Sequence, residues 1–276
     1  MSRLRNILLF FTVFIVVAGI FSIGVFNSDS FTASVDTVVA DAGGEDVIAP
    51  QALFIAASAY PFINDVLARV GGHFVEVRQI QRHAAHEIDE VDAFFILDER
   101  ADAWVRAGEE IKTFYLRGEH AVGDYYWLSP ELMADVVRFI ARSFSEVDPV
   151  HAVQYFDNAY AYAYELEELH QSYREVLGDI RKRTFSSVGE GFWILLEAYD
   201  LKKGVTVAFT LEDVRKRLSA KPDEYILAEV IFPATGIEDE RISNRIILLD
   251  PFGYLFSGGT YVDFLDENMR QLLDVK

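Results

Sequence analysis

Two histidines three residues apart, His83 and His86, with Glu87 beside them, are the first residues whose spacing suggests chemistry. On a helix such a pair shares a face and can present two imidazoles to one zinc or manganese ion. The competing reading is an exposed acidic stretch that happens to hold two histidines. Asp250 ends a candidate strand at 245–249 and precedes Pro251. A carboxylate there points into the cleft that the strand ends border, although Asp before Pro is also a common turn former. Glu190 lies between Gly189 and Gly191 at the start of a helical segment, where it can offer a carboxylate to a ligand or cap the helix.

No enzyme constellation accompanies these residues. Ser187-Val188-Gly189-Glu190-Gly191 is not a Gly-x-Ser-x-Gly elbow, and Gly258-Gly259 lacks the Lys-Ser/Thr of a phosphate loop. No carboxylate pair stands out from the general acidity. The chain has no cysteine, which excludes disulfides, thiolate metal sites and cysteine nucleophiles. Any metal site must use His, Asp, Glu, Tyr or backbone oxygens.

The 276 residues are 51% hydrophobic and 25% charged, which supports a sizeable core in one large or two modest domains. With 25 basic against 44 acidic residues the formal charge is −19, which speaks against a nucleic-acid partner and suits one that meets cations. Arg3 and Arg5 precede an apolar run at 7–26, long enough as a helix to span a bilayer core of about 30 Å. Its length favours an uncleaved anchor over a cleaved signal. The charges before it place the rest of the chain outside the membrane. The stretch 27–50, rich in Ser, Thr, Ala, Asp and Gly, reads as a flexible stalk.

Beyond the stalk, short apolar runs alternate with helical periodicity, the pattern of α/β units around parallel sheets. Strands are expected at 52–57, 74–80, 93–97, 111–116, 184–188, 205–209, 225–230 and 245–249. Helices are expected at 61–70, 130–144, 191–199, 210–218 and 260–273. Between the two sets, Asp148-Pro149 reads as an N-cap and first helical residue, opening a helix that runs to about residue 180. Val153, Phe156, Tyr160, Tyr164 and Tyr173 recur along it at helical spacing as a packing stripe, while His151 and His170 read as solvent-facing and His73 as a surface turn residue. The plan is two α/β lobes, 51–147 and 182–276, tied by one linking helix at 148–181 and facing a ligand cleft at the carboxyl ends of their strands.

In order, these segments resemble the zinc/manganese-type solute-binding proteins of bacterial ABC importers. Ala57-Ser58-Ala59-Tyr60-Pro61 with Gly71-Gly72 is similar to the family's opening strand, Tyr-Pro turn and Gly-Gly. Glu90-Val91-Asp92-Ala93 resembles its Glu-Ala-Asp strand, and Asp102-Ala103-Trp104 its Glu-Pro-Trp turn. Tyr126-Trp127-Leu128-Ser129-Pro130 resembles its Trp-Leu-Asp-Pro segment, and Leu249-Asp250-Pro251-Phe252-Gly253 its Leu-Asp-Pro-Leu-Gly. The likeness covers roughly residues 52–275.

The resemblance implies a metal-type importer's binding component, monomeric and extracytoplasmic. It would carry a zinc or manganese ion between its lobes to a membrane permease. The family's ligands are His residues and carboxylates, and Asp250 stands where its last carboxylate does. The second His position holds Tyr125, which reads as a packing residue, and the third falls on or beside Gly189. His83, His86, His120 and Glu190 are the residues that can rebuild the set, with His120 taking the place of the second His on the loop before Tyr125. The alternative is a fold of this kind that has lost its metal and serves as a surface interaction protein or binds a non-metal ligand.

Overall fold

Runs of four to six residues form the strands of two four-stranded sheets in a computed structural model that describes residues 53–97, 99–100, 102–105, 111–117, 124–256 and 258–274. The expected anchor at 7–26, the stalk at 27–50, His120 and the side chain of His86 lie outside the described residues. Among the described residues no helix is long and apolar enough to cross a membrane.

The first sheet comprises β1 (Phe54–Ser58), β2 (Val75–Gln79), β3 (Ala93–Ile96) and β4 (Lys112–Tyr115), in the order β2-β1-β3-β4. The second comprises β5 (Thr184–Val188), β6 (Lys202–Val207), β7 (Glu224–Glu229) and β8 (Ile246–Leu249), in the order β6-β5-β7-β8. All pairings are parallel, with Ala56 opposite Ala93 in one sheet and Phe185 opposite Tyr225 in the other. The two sheets therefore repeat one plan. In each, the strand order reverses beside the first strand, which is where open parallel sheets bind ligands. Those points lie between β1 and β3 and between β5 and β7.

Local signals account for the helices. Pro61 opens α1 (Pro61–Gly71), which stops at Gly72 with φ 57°. Ser129 accepts from Leu132 N and Pro130 follows it, starting α2 (Pro130–Val147), whose buried face carries Met133, Val136, Val137, Ile140 and Phe144. The linking helix is α3 (Ala152–Val176), preceded and followed by single 3-10 turns at Pro149–His151 and Leu177–Ile180. The second lobe adds α4 (Trp193–Ala198), α5 (Leu211–Ala220), α6 (Glu240–Ser243) and α7 (Tyr261–Leu273), the last with a capping box between Thr260 and Asp263.

One hydrophobic core runs through both lobes, from Phe54 and Phe144 through Tyr155 to Phe185 and Phe264. Part of the bridge is α7, which follows the second sheet but packs on α1 of the first. Phe62 stacks on Phe264 with centroids 4.0 Å apart, and Tyr261 N donates to Asp65 Oδ2 at 2.9 Å.

Three details differ from the expectations. Strand β6 begins at Lys202, earlier than 205, because an edge strand tolerates the polar Lys202 and Lys203 on its open side. Asp148 occupies the N-cap position of the 3-10 turn that opens the linking helix, with Pro149 after it as expected, but its side chain makes no capping bond. Its carboxylate instead accepts from the Tyr155 hydroxyl at 2.7 Å and lies 2.6 Å from His151 Nδ1. The buried face of α3 is Tyr155, Ala159, Tyr162, Ala163, Leu166, His170 and Tyr173, leaving Val153, Tyr160 and Tyr164 exposed. Tyrosines lie on both faces of this helix, so aromatic spacing alone does not identify the inner one. His170 is thus only 2% exposed rather than solvent-facing, and the His151 side chain is mostly covered.

Candidate functional site at the lobe junction

The carboxyl edges of the two sheets meet. From the first lobe, the chain after β4 turns at Tyr125, which takes a left-handed conformation (φ 58°) that few residues with a side chain adopt. This turn aims the Tyr125 ring at the second lobe and starts a 3-10 turn at Tyr126–Leu128, all three residues of which are buried. The Tyr125 hydroxyl donates to Glu229 at the carboxyl end of β7. Trp127 Nε1 donates to the carbonyl of Pro251, just beyond β8, and the Tyr261 hydroxyl donates to the Trp127 carbonyl at 2.6 Å.

Aromatic rings fill the space around these bonds. Tyr125 lies 5.0 Å from Phe192 and 5.6 Å from Phe252, measured between centroids, and Phe252 lies 5.7 Å from Trp127 and 6.2 Å from Tyr60. Gly191 is required here. A Cβ at that position would stand 2.1 Å from Tyr125 Cε2, inside any tolerable contact. Tyr60 is held in turn by Asp102, which accepts its hydroxyl at 3.0 Å and Leu97 N at 3.0 Å.

The residues singled out by the sequence reach this junction unequally. Asp250 is at the end of β8 and only 8% exposed, and it is anchored through its backbone: Asn268 Oδ1 accepts from Asp250 N at 2.8 Å. Both carboxylate oxygens face the following loop, accepting from Tyr254 N at 2.8 Å and Leu255 N at 2.6 Å. A carboxylate has about four lone-pair positions, so these bonds orient Asp250 without exhausting it. Glu190 follows β5 with an exposed side chain and does not cap α4, whose N-cap is Phe192. Strands β5 and β8 are separated by β7, which puts their ends roughly 9–10 Å apart. His83 is exposed in the 3-10 segment Arg82–Glu90, beyond the edge strand β2.

Among the described residues no three His, Asp or Glu side chains converge on a point that could hold a metal ion. Glu229, Phe192, Phe252 and Gly191 are the junction residues that the sequence reading missed. Glu229 carries the same signal as Asp250, an acid closing a buried run at the end of a strand. Of the rings around Tyr125, Trp127 and Phe252 stand in motifs that carry the family resemblance, whereas Phe192 has no such mark.

Comparison with known proteins places this architecture. The family model described as "Zinc-uptake complex component A periplasmic" matches residues 78–275. No curated protein matches by sequence. Among solved structures, the laminin-binding protein Lbp of Streptococcus pyogenes is similar at 20% identity and TM-score 0.64, covering 82% of this chain and 100% of that one. A Zn(II)-bound mutant variant of AdcAII from Streptococcus pneumoniae is similar at 19% identity and TM-score 0.66, covering 81% and 98%. The metal-dependent lipoprotein YcdH from Bacillus subtilis is similar at 20% identity and TM-score 0.63, covering 81% and 99%.

Proposed function

Because the chain belongs to the zinc-uptake complex component A family, we propose that it is the extracytoplasmic binding component of a metal-type ABC importer. In this reading it works as a monomer, held at the membrane by its N-terminal apolar segment. It captures a divalent cation of the zinc or manganese class between its lobes and passes it to a membrane permease. It performs no covalent chemistry. The observation that supports this reading is the meeting of loops from the carboxyl edges of both sheets, with Asp250 held at the end of β8 by two backbone amides. Asp250 is the proposed anchor ligand, with Glu190, His83, His86 and His120 as the candidate groups that would complete the set.

A second reading draws on a specific feature, the bond from Tyr125 to Glu229 within its aromatic surround. That contact joins the lobes directly, as a bound ion would. A chain with such a bridge can keep the family fold without metal and act as a surface interaction protein or bind a different ligand.

One experiment separates the two. The full chain, stripped with chelator, is titrated with Zn²⁺ and with Mn²⁺ while heat of binding and melting temperature are followed. A ligand at a hundredfold excess over its dissociation constant adds about 2.7 kcal/mol of stability, readily visible in melting. Saturable binding that Asp250→Asn abolishes supports the cation carrier. Absence of any ion binding sensitive to Asp250 supports the second reading.

A further inference from the structure

Large apolar side chains collect on the loops at the carboxyl edge of the second sheet. Phe209 follows β6 and is 55% exposed, Ile231 follows β7 at 60%, and Tyr254 and Leu255 follow β8 at 59% and 69%. The three loops touch. Phe209 meets Phe232 edge-on with centroids 5.3 Å apart, which joins the β6 loop to the β7 loop. Val230 N donates to the Leu249 carbonyl at 2.8 Å, and Val230 and Leu255 line one hollow, which joins the β7 loop to the β8 loop. Side chains distant in the chain thus form one apolar surface.

The β8 loop is held in this exposed position. Asp250 accepts from the amides of Tyr254 and Leu255, and the Tyr254 ring lies 5.6 Å from Phe252 beneath it. Single exposed apolar residues are ordinary on a protein surface, whereas a contiguous group marks a contact surface.

The neighbouring charges indicate what meets it. Glu190 after β5, Glu212 at the start of α5 and Glu238 after β7 are exposed and have no ion-pair partner among the described residues. The basic groups nearby are engaged: Arg241 pairs with Asp239 at 3.2 Å, and Arg215 donates to the Gly236 carbonyl. An anionic bilayer, or a second copy of a chain with formal charge −19, is repelled by such a rim. A protein surface with an apolar centre and Lys or Arg around it matches both the centre and the rim.

We propose that Phe209, Ile231, Tyr254 and Leu255 form a docking surface for a separate protein whose facing patch has an apolar centre and a basic rim. The surface belongs to the loops of one lobe and needs no bound ion, so the inference does not rest on cation capture.

The test replaces Ile231 or Leu255 of the full chain with the photo-crosslinking residue p-benzoylphenylalanine in the cells that produce the protein. Tyr160 on α3, 62% exposed, is the control position. The expected result is one protein adduct common to Ile231 and Leu255, with apolar residues beside Lys or Arg in its crosslinked peptide, and no such adduct from Tyr160. Charge reversal by Glu190→Lys together with Glu238→Lys should lower the yield by about threefold or more. All of these positions are exposed, so the variants read docking rather than folding. An adduct with lipid or with a second copy of the chain, a crosslinked peptide without basic residues, the same adduct from Tyr160, a yield indifferent to charge reversal, or no adduct would each overturn the proposal. Titration with Zn²⁺ and Mn²⁺ tests cation capture by a separate measurement, so either reading can fail alone.

Discussion

The lobe junction and the groove between α2 and α3 are both places where two acidic elements meet, yet their polar groups are treated differently. At the junction each of these polar groups has a counterpart: Glu229 accepts from Tyr125, the Pro251 carbonyl from Trp127, and Asp250 from two backbone amides. Aromatic rings pack beside the Tyr125 and Trp127 bonds. In the groove, the buried His170 imidazole keeps one nitrogen without a partner among the described residues and turns the other towards the Glu131 carboxylate on an open surface. Satisfied buried groups hold a shape, whereas an unsatisfied one carries a desolvation cost. Acidity alone does not tell how the polar groups of a seam are satisfied.

The comparison can be broken most forcefully at Trp127, a buried ring that joins the lobes. Trp127→Ala should cost about 3–5 kcal/mol in urea unfolding. A cost well under about 1 kcal/mol, the typical effect of an ordinary substitution, would show that the junction is not a structural seam. Gly191→Ala comes next. The new methyl meets the Tyr125 ring and should cost about 1–3 kcal/mol, and most of that loss should vanish in a Tyr125→Ala background, where the obstructing ring is gone. Persistence of the full cost in the double variant would mean that the clash lies elsewhere.

Asp250→Ala should have a smaller effect, about 1 kcal/mol for each amide left without its acceptor. The amides of Tyr254 and Leu255 should exchange faster with solvent, while Glu190→Gln, at an exposed position, should stay within about 0.5 kcal/mol of the parent. Unaltered exchange at those two amides would contradict the anchoring role given to Asp250.

The smallest effect is expected at Asp148, a satisfied acid at the start of the linking helix. Burial raises its pKa, but the hydroxyl of Tyr155 and the ring of His151 outweigh this and hold it below the ordinary carboxylate value. Its contribution is therefore complete above about pH 4 and is lost as pH falls through the lower folded-state value. Asp148→Asn should flatten this part of the acid limb in melting curves recorded from about pH 5 to about pH 2. An unchanged limb would remove Asp148 from the satisfied class.

Much of the architecture is legible residue by residue. Ser129-Pro130 marks the start of α2, and the run at Thr184–Val188 is the strand β5. Gly72 ends α1 as its position suggests. The resemblance built on Tyr60-Pro61, Trp127 and Leu249-Asp250-Pro251 leads to the family whose model matches residues 78–275. The failures have physical causes. Polar Lys202 and Lys203 hide the start of β6 because edge strands need no apolar alternation. His170 reads as solvent-facing because a helix bearing aromatic rings on both faces gives no single apolar stripe to follow.

Caps, breakers, strand runs and the acid at the end of β8 are written into short stretches of chain, since each depends on the conformation of a few neighbouring residues. The pairings that hold these elements together are not local. Tyr125 reaches Glu229 across 104 positions, and Glu131 meets His170 only because α2 and α3 pack side by side. Which acids become satisfied and which stay open follows from how two sheets and a helix pair settle around one shared core, and no short pattern carries that information.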